Sequence, residues 1–298
     1  MLKIGSRGSK LALSQTEYVK NLLENKTKDK YKIVVIKTKG DIDKKKPIYS
    51  IQETSIFTKE IEMALLSKKI DLAVHSLKDL SSIQPKGLAL AAFPQVLKRN
   101  DVFISNKYKS ILNVPLSAII ATSSKRRQAL FRNIRDDILF KDIRGNIETR
   151  IKIMKSDNNI AGIILASAGL ERLNISEKFM EILPIKDFIP ASGQGIIAVQ
   201  TRINDVLKYN ITDNKDIRDI ALKEIFFMQK LKVGCSKPVG IHITKNNGIY
   251  ILNIFISDLD FNNYYKKEFI FKTNKEMNMI LKEIKNNISK LRGFNYIK

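Results

Sequence analysis

Along the first two-thirds of the chain, short apolar runs alternate with longer amphipathic stretches. "LKIG" (2–5) has the length of a strand, and in the stretch 10–26 that follows, Leu11, Gln15, Val19, Leu22 and Leu23 keep helical spacing. Ser9, immediately ahead of that stretch, is a residue type that caps helix N-termini. The same alternation predicts strands at "YKIVVIKT" (31–38), "DLAV" (71–74) and "LALAAF" (88–93), a helix over about 57–68, and a polar segment over 41–55. A second block begins near Asp101 and repeats the scheme. Strand "AIIAT" (118–122) leads through "SSKRRQ" into a helix, and "ILFKDI" (138–143) leads through "RGN" into the helix "IETRIKIMK" (147–155). "IAGIILAS" (160–167) then leads into "AGLERL" (168–173), and "ASGQGIIAVQ" (191–200) reads as a strand that returns to the first block. Alternation of this kind is the signature of βαβ units and parallel sheets.

Beyond about residue 214 the pattern changes. A helix over 217–230 is followed by strands "VGIHIT" (239–244) and "IYILNIFIS" (249–257) around Asn247-Gly248, a strong two-residue hairpin signal. A third strand, "YYKKEFIFK" (264–272), and a helix over about 274–291 complete a small α+β unit.

"SRGS", "HSLKD", "SSKRRQ" and "RGN" all fall where a predicted strand ends and a helix begins. That edge is where open α/β sheets bind ligands, and helix N-termini there offer free N–H groups to anions. Arg7, Lys78, Arg126, Arg127 and Arg144 should therefore converge on one face, with Arg150 and Arg172 close by. Any single arginine is an ordinary surface residue. A set collected at these junctions predicts a cleft for a ligand with several carboxylates or phosphates.

Composition adjusts this picture at few points. A chain of 298 residues with 44% hydrophobic content should build about two domains, or three small ones. The start, "MLKIGSRGSK", lacks an apolar run of signal-peptide length, no later stretch is long enough to span a membrane, and a single cysteine suits a reducing cytoplasm. The net charge of +23 would attract anions. Lys, Asn and Ile are abundant throughout, however, so the total reflects compositional drift and the placement of the arginines carries more information. The only histidines, His75 and His242, cannot make a metal site alone, and His75 reads either as a structural residue or as one that backs the residues of the site. Cys235, in "KVGCSKPVG" (232–240), is open to two readings on the nonapeptide alone. It is either a small buried hydrophobe or an anchoring nucleophile whose thiolate Lys232 and Lys237 would favour.

Seven motifs in order then carry a resemblance: IGSRGSKLALSQ (4–15), AVHSLKDL (73–80), ATSSKRRQ (121–128), RGNIETR (144–150), LASAGLERL (165–173), PASGQG (190–195) and GCSKPVG (234–240). In residues, order and spacing the chain resembles the porphobilinogen deaminase (hydroxymethylbilane synthase) family up to Gly240. The resemblance implies an α/β fold of two periplasmic-binding-protein-like (type II) lobes, plus a small C-terminal α+β domain with a three-stranded antiparallel sheet. Domain bounds would be 1–95 with 196–213 for lobe 1, 100–190 for lobe 2, and 216–298 for the third domain. It further implies a cytoplasmic transferase that condenses four porphobilinogens, with loss of ammonia, onto a covalently attached dipyrromethane cofactor and releases hydroxymethylbilane. By the same resemblance Asp79 is the catalytic carboxylate and Cys235 the thioether anchor. Arg126, Arg127, Lys78, Thr122, Ser123 and Ser124 contact the cofactor, while Arg7, Ser9, Arg144, Arg150, Arg172 and Gln194 contact substrate. No metal, nucleic acid or membrane is implied; the protein would be a monomer that hands its product to uroporphyrinogen-III synthase.

The chain departs from the family pattern in four places. Glu53-Thr54-Ser55 stand where a lysine-bearing run is usual, Val233 replaces a glycine, Ser81 a proline and Ile225 an arginine. No catalytic group is lost. Two other classes fit the sequence less well. A solute-binding protein would share the two-lobed fold but need neither Asp79 nor Cys235, and a nucleic-acid binder would show aromatic-interleaved basic motifs that are absent here.

Overall fold

The computed structural model describes residues 1–42, 57–234 and 236–297. Cys235, and Glu53, Thr54 and Ser55 in the polar segment, lie outside the described residues.

The first sheet has the order β2 (Tyr31–Val35), β1 (Leu2–Ser6), β3 (Leu72–Ser76), β10 (Ile197–Arg202), β4 (Leu88–Ala92). β1 pairs in parallel with β2 and β3, while β10 runs antiparallel to both of its neighbours. The strand predicted at 191–200 thus does return to the first block. Helix α1 spans Lys10–Lys26, as its spacing predicted, and the Ser9 hydroxyl accepts from the Ala12 N–H at 3.2 Å. Val19 and Leu23 of α1 bury against Ile4, Leu72, Val74, Ile197 and Val199 of the sheet. Two shorter helices, α2 (Lys39–Ile42) and α3 (Lys59–Leu66), flank the polar segment.

The second sheet repeats the plan in the order β7 (Leu139–Lys141), β6 (Ile119–Ala121), β8 (Ile160–Ala166), β5 (Asp101–Ser105), β9 (Phe179–Ile182). Again the outer pairs on one side are parallel and the fourth strand is antiparallel. Helices α4 (Lys125–Arg132), α5 (Ile147–Ser156) and α6 (Ser167–Arg172) follow β6, β7 and β8. These are two α/β lobes with the same plan of strands. Two strands were not among those the sequence pattern predicts. β5 is buried along its whole length although it opens on a carboxylate, and β9 is a four-residue edge strand with no fully buried position.

Two crossings join the sheets. The Leu97 N–H donates to the Gly195 carbonyl and the Ile197 N–H to the Gln95 carbonyl, each at 3.0 Å. A side chain at residue 195 would bring its Cβ to 2.8 Å from the Leu97 carbonyl, at a φ of +85°. Only glycine permits that approach.

After the short helix α7 (Val206–Tyr209), the remainder forms α8 (Lys215–Lys230), an antiparallel sheet β11 (Val239–Asn246), β12 (Ile249–Ser257), β13 (Tyr264–Phe271), and α9 (Asn274–Ile288). Asn247 and Gly248 both take positive φ, 48° and 77°, as the hairpin signal requires. Phe227 of α8 and Ile280 and Ile284 of α9 pack on Ile241, Leu252 and Ile254 of this sheet. It docks on the second lobe, where Ile241 donates to the Pro190 carbonyl at 3.0 Å and Phe255 packs with Phe188 and Ile189. Ala221 on α8 meets Leu77 and Leu80 of the first lobe. A buried ion pair, Arg99 to both oxygens of Glu224 at 2.7 Å, fastens α8 to the crossing. Among the described residues no helix is long and apolar enough to cross a membrane.

Candidate active site

Asp79 closes a single 3-10 turn, Leu77–Asp79, that begins where β3 ends. The turn is short because Leu77 is drawn inward, its N–H donating to the Ile196 carbonyl at 2.9 Å and its side chain joining the core. Lys78 and Asp79 are thereby left half-buried at the sheet edge. Asp79 lines a small open recess with Arg7, Ser9, Gln15, Phe57, Thr58, His75 and Ser76. Arg7 leaves β1 and its guanidinium lies 4.3 Å from the Phe57 ring centre. Its Nη2 donates to Asp41 Oδ1 at 2.5 Å. Burial alone would raise the Asp41 carboxyl, but Arg7 and the Thr38 hydroxyl hold it below its ordinary range.

His75, on β3, is buried beneath this recess, and its Nε2 has no partner among the described residues. Burial, with the Arg7 charge acting in the same sense, depresses the imidazole to about 4. It is therefore neutral at physiological pH, in agreement with a structural role.

The facing edge belongs to α4. The Ser124 hydroxyl caps the helix by accepting from the Arg127 N–H. Arg126 and Arg127 turn inward to Asp101 at the start of β5. Arg126 Nη2 reaches Asp101 Oδ2 at 2.7 Å and Arg127 Nη2 reaches Oδ1 at 2.7 Å. Asp101 is fully buried, and the two guanidinium groups outweigh its desolvation to pull its carboxyl well below the ordinary range. Gln194, from the returning crossing, donates from Nε2 to Asp101 at 3.1 Å and accepts from Lys78 Nζ at 3.3 Å. Burial lowers the Lys78 ammonium to about 8, with Asp79 opposing the shift and Arg127 adding to it.

Arg150, in the first turn of α5, donates from Nε to the Gly145 carbonyl at 2.8 Å. Burial lowers it to about 10, Arg127 and Arg144 acting in the same direction and Asp79 against them. Lys78, Arg126, Arg127, Arg144 and Arg150 thus share one electrostatic neighbourhood with Asp79 and Asp101. At its buried end, two guanidinium groups, Arg126 and Arg127, share the single carboxylate of Asp101. Such an excess calls for an anion from outside.

Not every residue singled out in the sequence joins this group. Arg172, at the end of α6, hydrogen-bonds Gln95 and lies 5.8 Å from the Tyr18 ring, beside the crossing. The hydroxyl of Ser123 accepts from the Ile143 N–H, and the Thr122 hydroxyl accepts from the Ser124 N–H; both shape the turn before α4. Arg7 and Ser9 line the Asp79 recess. Three residues behind the site were not legible in the sequence: Asp101, and the pair Arg99 and Glu224, which hold the Gln194 carbonyl and the Gly193 N–H. A carboxylate heading the apolar run "DVFIS" was the one available signal for the first. Nothing marked the other pair, whose partners stand 125 positions apart.

Comparison with known proteins bears on the whole chain. Residues 2–208 match the family model "Porphobilinogen deaminase, dipyromethane cofactor binding domain". A porphobilinogen deaminase of Francisella tularensis subsp. mediasiatica is 40% identical over 273 residues, covering 90% of each chain. That of subsp. novicida is 39% identical over the same span and coverage. Among solved structures, a methionine-binding protein, MetQ, covers 76% of this chain and 94% of its own at 13% identity and a TM-score of 0.44, a likeness too distant to argue from.

Proposed function

The chain belongs to the porphobilinogen deaminase family, and from that premise we propose that it joins four porphobilinogen molecules head to tail. Each addition releases ammonia, the growing chain stays on a covalently held dipyrromethane, and hydroxymethylbilane leaves by hydrolysis. The observation that carries this reading is the cluster of half-buried and buried cations around Asp79. Porphobilinogen bears an acetate and a propionate, so every unit added brings two carboxylates. Arginine's planar fork pairs with carboxylates through two hydrogen bonds at once.

The residues present fit dipyrromethane, whose acidic side chains match the cation excess at Lys78, Arg126 and Arg127. Ser124, Thr122 and Ser123 stand at the start of the same helix. When bound, it supplies the free pyrrole α-carbon to which new units are joined. The Asp79 carboxylate supplies negative charge where pyrrole nitrogens turn cationic, and its oxygens can hold or pass a proton. Arg7, Ser9, Arg144, Arg150, Arg172 and Gln194 hold the acidic side chains of incoming and joined pyrroles. The tether is Cys235, the chain's only thiol.

The three sheets support a division into lobe 1 (1–95 with 196–213), lobe 2 (100–190) and a third domain (216–298). We read the protein as a cytoplasmic monomer that passes hydroxymethylbilane to uroporphyrinogen-III synthase. The test is to incubate purified protein with porphobilinogen and follow substrate and ammonia together. One ammonia should appear per porphobilinogen consumed; no consumption by protein that carries the pyrrole tether would refute the reading.

A further inference from the structure

We propose that Asp101 is a positioning residue for the dipyrromethane site, its carboxylate holding Arg126 and Arg127 in one fixed arrangement for the cofactor's acidic side chains. The inference rests on the deaminase reading above and adds a residue to it.

Four hydrogen bonds converge on the Asp101 carboxylate. Oδ2 takes Arg126 Nη2 at 2.7 Å, while Oδ1 takes Arg127 Nη2 at 2.7 Å, Arg127 Nε at 3.1 Å and Gln194 Nε2 at 3.1 Å. Each guanidinium is also held from a second direction. Arg126 Nη1 donates to the Ile189 carbonyl and Arg127 Nη1 to the Ile164 carbonyl, both at 2.7 Å. A planar group fixed on two sides cannot rotate, so both forks are set before any ligand arrives. A guanidinium has five N–H donors, and on each arginine some remain after these bonds.

The charge balance separates this trio from an ordinary buried ion pair. One carboxylate is shared by two arginines, leaving a positive charge where solvent hardly reaches. A pair serving stability alone would match one to one, because an unpaired buried charge is costly. The surplus suits a site completed by a ligand carboxylate. Ordering two long side chains during folding also removes that entropic cost from binding. Gln194 extends the arrangement to Lys78 of the first lobe, so a shift of Asp101 would displace cations on both sides of the cleft.

Two substitutions separate positioning from charge. Asp101→Glu keeps the charge but lengthens the arm by one methylene, and Asp101→Asn removes the charge and makes the site more cationic. Purified variants are compared by denatured intact mass for the two-pyrrole increment, and again after limiting porphobilinogen for the ladder of bound species. Both are run at a temperature where thermal melting shows the variant folded. A displacement of about 1 Å should cut the loaded fraction or the first addition about tenfold or more. The Asn variant should also lose loading, although its added positive charge favours anions. If the folded Glu variant loads and elongates like wild type, or the Asn variant loads better, the positioning role is wrong. If Asp101→Asn does not fold, the Glu variant decides. Wild-type protein that carries no pyrrole increment would instead overturn the deaminase reading itself.

Discussion

The two lobes share a strand order yet treat the charges at their sheet edges differently. In the first, Arg7 keeps 22% of its side chain exposed and pairs with a carboxylate that is equally open. In the second, Arg126 and Arg127 keep 5% and 8%, and their shared carboxylate none. An ion pair that water still reaches is worth about 0–1 kcal/mol and is readily exchanged for another carboxylate. A buried one is fixed, since breaking it by removing one partner costs about 3–5 kcal/mol. The same topology therefore yields an adaptable edge beside Asp79, suited to the arriving units of the proposed reaction, and a rigid edge opposite, suited to its tethered end.

The sharpest way to break that contrast is to remove one arginine from each side. Arg127→Gln should lower unfolding stability by about 1–3 kcal/mol, since Asp101 keeps Arg126 while the buried Ile164 carbonyl loses its donor, whereas Arg7→Gln should lower it by about 1 kcal/mol or less and act instead on KM. Denaturant titration of both variants beside their kinetics measures this; equal losses of stability would erase the distinction between the edges.

Acid offers a second probe. The folded His75 titrates near 4 against 6.5 unfolded, so the unfolded chain binds more protons between those values. Stability that is complete above pH 6.5 should drain away as pH falls toward 4, by up to about 3 kcal/mol for this residue. His242, depressed to about 4 by burial in the third unit, adds in the same sense. Urea midpoints at pH 7.5 and 5 should converge for His75→Gln relative to wild type. An unchanged acid loss in that variant would exclude the first lobe as its source.

On the chemical step, Asp79→Asn should retain its fold and lose at least about 10²-fold in turnover, read by porphobilinogen consumption in fully loaded protein. Normal turnover would remove Asp79 from the mechanism. The smallest effect is expected far from either edge. Lys282→Gln with Lys290→Gln, both exposed on or after α9, should change stability by a few tenths of a kcal/mol and leave the ladder of intermediates intact. A stalled ladder there would mean that general basicity, not edge placement, governs binding.

Local signals carried most of the fold. α1 was legible to its ends because its apolar spacing, its Ser9 cap and a polar exit agree. The β11–β12 turn was legible because Asn-Gly suits a backbone with two positive φ angles. β5 was not, since Asp101 at its head looks like surface until Arg126 and Arg127 are brought to it from 25 residues away. β9 escaped because a short edge strand lacks a buried face. At the site, residues fixed by a strand-to-helix junction could be read in sequence, including Arg7, Lys78, Asp79 and the arginines of α4. Residues whose meaning lies in a distant partner, such as Arg99 with Glu224, could not. Sequence shows that a charge is present and its junction shows where it points, but whether it is neutralised depends on the packing of both crossings.

On the proposed function, this edge chemistry serves a pyrrole chain tethered to one thiol. Intact mass under denaturing conditions tests it most directly, on wild type and Cys235→Ser prepared identically. Wild type should carry a covalent increment of two pyrrole units, rising by one unit at a time with limiting porphobilinogen, and the Ser variant should carry none. An unmodified wild-type mass that stays unmodified with porphobilinogen, or the same increment on the Ser variant, would contradict the account.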